Sequence, residues 1–136
     1  MMERDLGDIL DRASIASLKA ERIRADESIK EWNAFQHEVK ALNGKYSRWD
    51  VDQWLKHLRM INGAIWKLES ELKSGKEVLP NGIWLDDPAN QEALAKIGRC
   101  TILIREFNGI RVGFKNIINK ITESGFEDVK HDHLSE

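Results

Sequence analysis

The sequence predicts an all-α protein, an antiparallel bundle of three long helices whose first member is open to a break into two. Three observations predict it. Proline occurs only twice, at Pro80 and Pro88. Few β-branched runs alternate with polar residues. Apolar residues instead return every three or four positions along most of the chain, the spacing of a helix that buries one face. The 136 residues suit a single domain, 1–136, with 124–136 as a polar C-terminal tail.

The first helical segment is expected over about residues 4–43. Its early half is apolar on more than one side (Leu6, Ile9, Leu10, Ala13, Ala16, Ala20, with Ile15 and Leu18). A helix of that kind belongs in the centre, and Ala13, Ala16, Ser17 and Ala20 leave room for a close neighbour. The later half has a narrower stripe, Ile29, Trp32, Phe35 or Gln36, Val39 and Leu42, and residues Ala25 to Ser28 mark where a kink or break would fall. Asn43-Gly44 is a helix stop. The second helix is expected from Ser47 or Asp50, either of which can cap free amides, to about Gly75. Its apolar arc is Val51, Trp54, Leu58, Ile61, Ile65, Leu68 and Leu72, bordered by Arg59, Asn62, Trp66 and Glu69.

Residues 76–86 read as a loop, with a turn at Pro80-Asn81-Gly82 and an apolar Ile83-Trp84-Leu85 suited to capping a bundle end. Asp87 then reads as an N-cap ahead of Pro88 at the first helical position. The third helix runs to about Ser124, with Gly125 as its stop. It carries three faces. Leu103, Phe107, Ile110, Phe114, Ile117 and Ile121 form an apolar arc, and Arg105, Glu106, Asn116 and Lys120 a wet one. Asn108, Arg111, Lys115 and Asn119 make a polar stripe on the border. Gly109 and Gly113 lie four apart on the wet side, where a partner can come close. Three long helices leave wide apolar faces. A fourth is expected either from the break in the first segment or from a second copy of the chain, which would make a homodimer.

Composition narrows the function classes. A net charge of −2 with no basic block argues against a nucleic-acid partner. No apolar run approaches the ~18 residues of a membrane span, and the charged start of the chain is unlike a signal peptide. The single cysteine, Cys100, forms no intrachain disulfide and fits a cytoplasmic setting. His131-Asp132-His133 reads as solvated tail, and His37 and His57 stand alone, so no metal site is expected. No phosphate loop or nucleophile elbow is present, Ser14 and Cys100 have no base nearby in sequence, and no cofactor is implied.

The residues with chemical potential lie on the helix borders. Arg111 and Lys115, four apart, can converge on a phosphate or carboxylate, with Asn108 and Asn119 as donors and acceptors. Asn62, Trp66 and Glu69 offer an amide, a stacking surface and a carboxylate on the second helix. Asp11, on an apolar helix, needs a partner if buried, and Arg111 or Lys115 can supply it. The bland alternative is that the same residues pair across helices and fix the bundle's register.

Three segments together resemble a family of short helical bacterial proteins known by a domain-of-unknown-function label. They are Gly7 to Ile23, with its Asp-Arg-Ala-Ser-Ile core and Lys-Ala-Glu-Arg-Ile, Leu58-Arg59 through Asn62 and Trp66 to Glu69, and Asn108 through Arg111 and Lys115 to Asn119. The chain departs from the family's pattern over 76–86 and after Gly125. Members of that family tend to be encoded among surface-glycan and glycosyltransferase genes, so the resemblance implies a setting in envelope polysaccharide synthesis and no catalytic residue. Three functional expectations follow. One is a non-catalytic accessory protein whose stripe binds an anionic small molecule, such as a sugar nucleotide, or a partner protein. Another is an enzyme with Arg111 and Lys115 clamping an anion and Asp11 or Glu69 as base. The third is a purely structural homo-oligomeric bundle.

Overall fold

The computed structural model describes residues 5–41, 46–78 and 88–123. Among them the chain is all-helical, with four helices and no strand: α1 (Leu6–Arg22), α2 (Asp26–Lys40), α3 (Arg48–Val78) and α4 (Pro88–Thr122). The fourth helix therefore comes from a break in the first segment, which replaces the expected three long helices. The Pro80-Asn81-Gly82 turn, Ile83-Trp84-Leu85, the Asp87 cap, the stops at Asn43-Gly44 and Gly125, and the tail with His131-Asp132-His133 lie outside the described residues.

The break has a local cause. Ile23 and Arg24 both donate their backbone N–H to the Lys19 carbonyl, at 2.8 and 3.3 Å, which closes the last turn of α1. Arg24 then takes a left-handed φ of 57°, the usual way to end a helix, although glycine commonly fills that position. Its guanidinium Nε donates to the Glu21 carbonyl at 3.1 Å, which ties the side chain to the turn. At the other end of α1, Asp5 is the N-cap and accepts from the Asp8 N–H at 3.0 Å.

Among the described residues the helices distribute between two compact units, 5–63 with 110–123, and 64–109. In the first, Leu6, Leu10, Val51, Leu58 and Ile118 form the core, with Val39, Tyr46, Trp54, Leu55 and Phe114 packed against it. α1 is as apolar-bound as its sequence suggests: Leu6, Ile9, Leu10, Ala13, Ala16 and Leu18 are all buried. α2 contributes no fully buried residue; it lays Trp32 and Val39 along a groove shared with Leu55. The α3 row Val51, Leu58 faces this core, and the same row continues with buried Ile65 in the second unit.

In the second unit Gly75 does not stop α3, which runs on to Val78. Gly75 is buried against α4, where an added Cβ would stand 3.2 Å from Ile97 Cγ1. Its small size is used for helix contact, so the chain has no reason to turn there. Ala93 and Cys100 are buried alongside, and the Cys100 thiol lies 3.9 Å from a carboxylate oxygen of Glu71.

The third predicted helix turns its faces differently from the simplest expectation for an amphipathic helix. On α4 the buried residues include Asn108, Val112, Ile118 and Asn119, so the amide-bearing border is an inward face. The apolar arc is left largely outside: Leu103, Ile110, Ile117 and Ile121 are 40%, 54%, 55% and 63% exposed. In the first unit the reason lies in α1, which presents an acidic side chain and a bare backbone amide where α4 meets it. Those groups require polar partners when buried.

Candidate functional site

The first unit brings four of the expected residues together: Asp11, Asn62, Lys115 and Asn119. α1 carries Asp11 on its buried side, one turn before Ser14, and both are almost completely shielded from solvent. The Asn62 side-chain amide on α3 donates to Asp11 Oδ1 at 2.9 Å and to the Ser14 hydroxyl at 2.8 Å. The Ser14 hydroxyl in turn donates to the Asp11 backbone carbonyl at 2.6 Å. The primary amide has two N–H bonds to give, and both are engaged.

Lys115 reaches in from α4. Its ammonium lies 3.6 Å from Asp8 Oδ1 and 4.0 Å from Asp11 Oδ2, while Asp8 Oδ2 pairs with Arg12 at 2.9 Å. The Lys115 side chain is 12% exposed and that of Asp11 8%. A carboxylate that deep in the protein needs both hydrogen bonds and a counter-charge, and Asp11 has both. Of the two cations proposed as its partner, Lys115 supplies the charge.

One helical turn further, Asn119 closes the end of α1. The Gly7 backbone N–H donates to Asn119 Oδ1 at 2.8 Å. Gly7 stands in the first turn of α1, where backbone amides have no partner within the helix. Asn119 therefore serves as a cap contributed by another helix. Contact at this point is close: a Cβ on Gly7 would lie 2.6 Å from the Lys115 carbonyl oxygen and 2.9 Å from Asn119 Oδ1. The pairings Gly7 with Asn119 and Asp11 with Lys115 also show that α1 and α4 run in opposite directions where they meet.

The other expected residues are placed differently. Arg111 is half-buried in the first unit, and its Nε is shielded from solvent without a hydrogen-bond partner among the described residues. Trp66, Glu69 and Asn108 belong to the second unit. There Asn108 is buried, Trp66 is half-buried, and exposed Glu69 lines a surface groove with Leu72, Lys73, Thr101 and Ile104. Sequence reasoning missed Gly7, Asp8 and Ser14 as members of the network. The i, i+3 spacing of Asp8, Asp11 and Ser14, which puts all three on one face of α1, was the signal available.

A separate depression lies on the first unit, lined by Leu18, Arg22, Lys56, Arg59, Met60 and Gly63, with a volume of about 440 Å³. Arg59 is ion-paired with Glu21 through a terminal nitrogen, and its Nε is shielded without a partner among the described residues. Among the described residues no group of three His, Cys, Asp or Glu side chains is placed to hold a metal ion, and no helix is long and apolar enough to cross a membrane. In comparisons with known proteins, no family model, curated protein or solved structure matches the chain.

Proposed function

We propose that the Asp8–Asp11–Ser14–Asn62–Lys115–Asn119 network is a structural clasp, and that the protein acts without catalysis, as a helical-bundle accessory that works through its surfaces. The supporting observation is that the buried Asp11 carboxylate finds its partners within the network. Both Asn62 amide bonds are used within it, and each Asp11 oxygen faces a donor or cation of the same unit. A general base must reach the proton that it removes. Asp11, 5% exposed and occupied on both oxygens, presents no such approach. Glu69, the other carboxylate expected as a base, belongs to the other unit, and Asp8, the second carboxylate of the cluster, is ion-paired with Arg12 and Lys115. A setting beside envelope-glycan synthesis rests on the sequence resemblance alone.

The clasp makes a prediction opposite in sign to that of a ligand site. Asn62→Leu and Lys115→Met lower the melting temperature, because each leaves a buried carboxylate short of a partner. If these residues were held in readiness for a ligand, the same substitutions would leave the melting temperature unchanged or raise it, and would abolish a ligand-induced shift.

A second reading keeps an anionic small molecule as ligand but moves it to the depression beside Arg22, Lys56 and Arg59. Three cationic side chains lining one depression support it, since together they suit a phosphate or carboxylate. A thermal-shift titration with inorganic phosphate and with sugar nucleotides tests this reading. It requires a rise in melting temperature that disappears in Lys56→Met, and a flat response dismisses it.

A further inference from the structure

We propose that the outward face of α3, from Trp49 to Met60, docks the protein on an anionic lipid bilayer. The proposal rests on the second reading above, whose cations it shares, and takes the anion from lipid head groups. At 100° per residue Trp49, Lys56, Met60 and Gly63 fall within an arc of about 60°. No other residue of 48–63 shares that arc. Val51 and Leu58, which belong to the core, lie on the opposite side of the helix. All of these residues are in the first unit.

The stripe joins the most open apolar groups to cations. Trp49 and Met60 are 69% and 65% exposed, more than any other large apolar side chain among the described residues. They stand about 16 Å apart along the helix axis, with exposed Lys56 between them. At Met60 the stripe borders the depression that also holds Arg22 and Arg59. Gly63 leaves the helix surface bare there, and the Arg22 guanidinium comes within 3.5 Å of where a Cβ would stand. The acids at the edges are matched by cations: Glu21 is ion-paired with Arg59, and Asp52 faces Arg48 at 4.0 Å. The whole chain carries a net charge of −2, so the positive excess along this face is local.

This combination suits a bilayer surface better than a protein or a free anion. A protein interface gathers its apolar residues into a dry centre and is poor in lysine, whereas here Lys56 separates the two apolar groups. A free phosphate would use the cations and leave Trp49, in the first turn of α3, without a role. At a bilayer, tryptophan sits at head-group level and methionine enters the acyl boundary. Lys56 and Arg22 lay their stems along the apolar layer and their charges on lipid phosphates. The helix then lies in the plane of the surface. It does not cross, since no described helix is long and apolar enough to do so.

Co-sedimentation with vesicles, with circular dichroism as a check on folding, tests the proposal. Phosphatidylcholine vesicles containing about 30% phosphatidylglycerol are compared with phosphatidylcholine alone. The full chain is expected to bind the anionic vesicles at least about 10-fold more tightly than the neutral ones. Trp49→Ser/Met60→Ser, at positions open to solvent, is expected to lose about 10-fold or more of that binding while keeping helix content and any response to inorganic phosphate. Lys56→Glu should weaken vesicle binding by about 10-fold or more as well. Brominated lipid should quench part of the tryptophan fluorescence, and the quenched part should be missing from Trp49→Phe. Equal binding to both vesicles, binding to neither, or anionic binding indifferent to Trp49→Ser/Met60→Ser overturns the proposal, whether or not a protein covers the face instead. A phosphate-induced rise in melting temperature without vesicle binding overturns it and leaves the second reading standing. Vesicle binding of the expected kind without a phosphate response does the reverse.

Discussion

Gly7 sits where a side chain has no room. The α4 backbone passes so close that a Cβ would fall 2.6 Å from the Lys115 carbonyl oxygen. The approach lets Asn119 take up an amide that α1 cannot satisfy internally. Gly7→Ala, harmless on an exposed helix, is therefore expected to cost about 1–3 kcal/mol here through overpacking, read from urea unfolding. Asn119 makes the complementary prediction. Asn119→Leu removes the acceptor and leaves a buried N–H unsatisfied, for a loss of about 1–3 kcal/mol. Asn119→Asp keeps an acceptor and adds a negative charge at a helix N-terminus, which is favourable there, so it should unfold well above Asn119→Leu. Equal melting temperatures for these two variants would show that the cap contributes nothing.

Each helix border reflects a specific local demand. α1 ends because Arg24 adopts φ 57°, a conformation that disfavours β-branched side chains; Arg24→Val is expected to be less stable than Arg24→Gly by about 1 kcal/mol. On α4, Gly98 has nothing within 4 Å of its would-be Cβ. Gly98→Ala should therefore stabilise the helix by about 0.5–1 kcal/mol, opposite in sign to Gly7→Ala, and a chemical-denaturation pair compares them directly. Much at this scale was legible in the sequence. The Val51, Leu58, Ile65 row is buried as its spacing implies, and Asp11 has the counter-charge its position demanded, from Lys115. Other features could not be read locally. Gly7 acquires its role from a residue 112 positions away, and Gly75, which looks like a stop, is a contact point. Periodicity sorted α4 into faces, but only the polar needs of α1 decide that Asn119 and Lys115 turn inward, while Ile110 and Ile117 stay exposed.

For the whole molecule, the clasp joins three helices of the first unit. α1 supplies the acidic groups, α3 an amide with two donors, and α4 a cation and a cap. Apolar packing by Leu6, Leu10, Val51, Leu58 and Ile118 tolerates sliding of one helix along another better than a set of directional bonds does. The clasp thus fixes the register, and with it the placement of the first-unit stretch of α4 that carries the outward row. The most direct test is a double-mutant cycle on Asp11→Leu and Asn62→Leu, measured by equilibrium unfolding. The clasp predicts that each single change destabilises by about 1–3 kcal/mol. It also predicts that the double variant is less impaired than the sum of the two, with a coupling of at least about 1 kcal/mol. Single variants as stable as the parent chain, or costs that simply add, would contradict it.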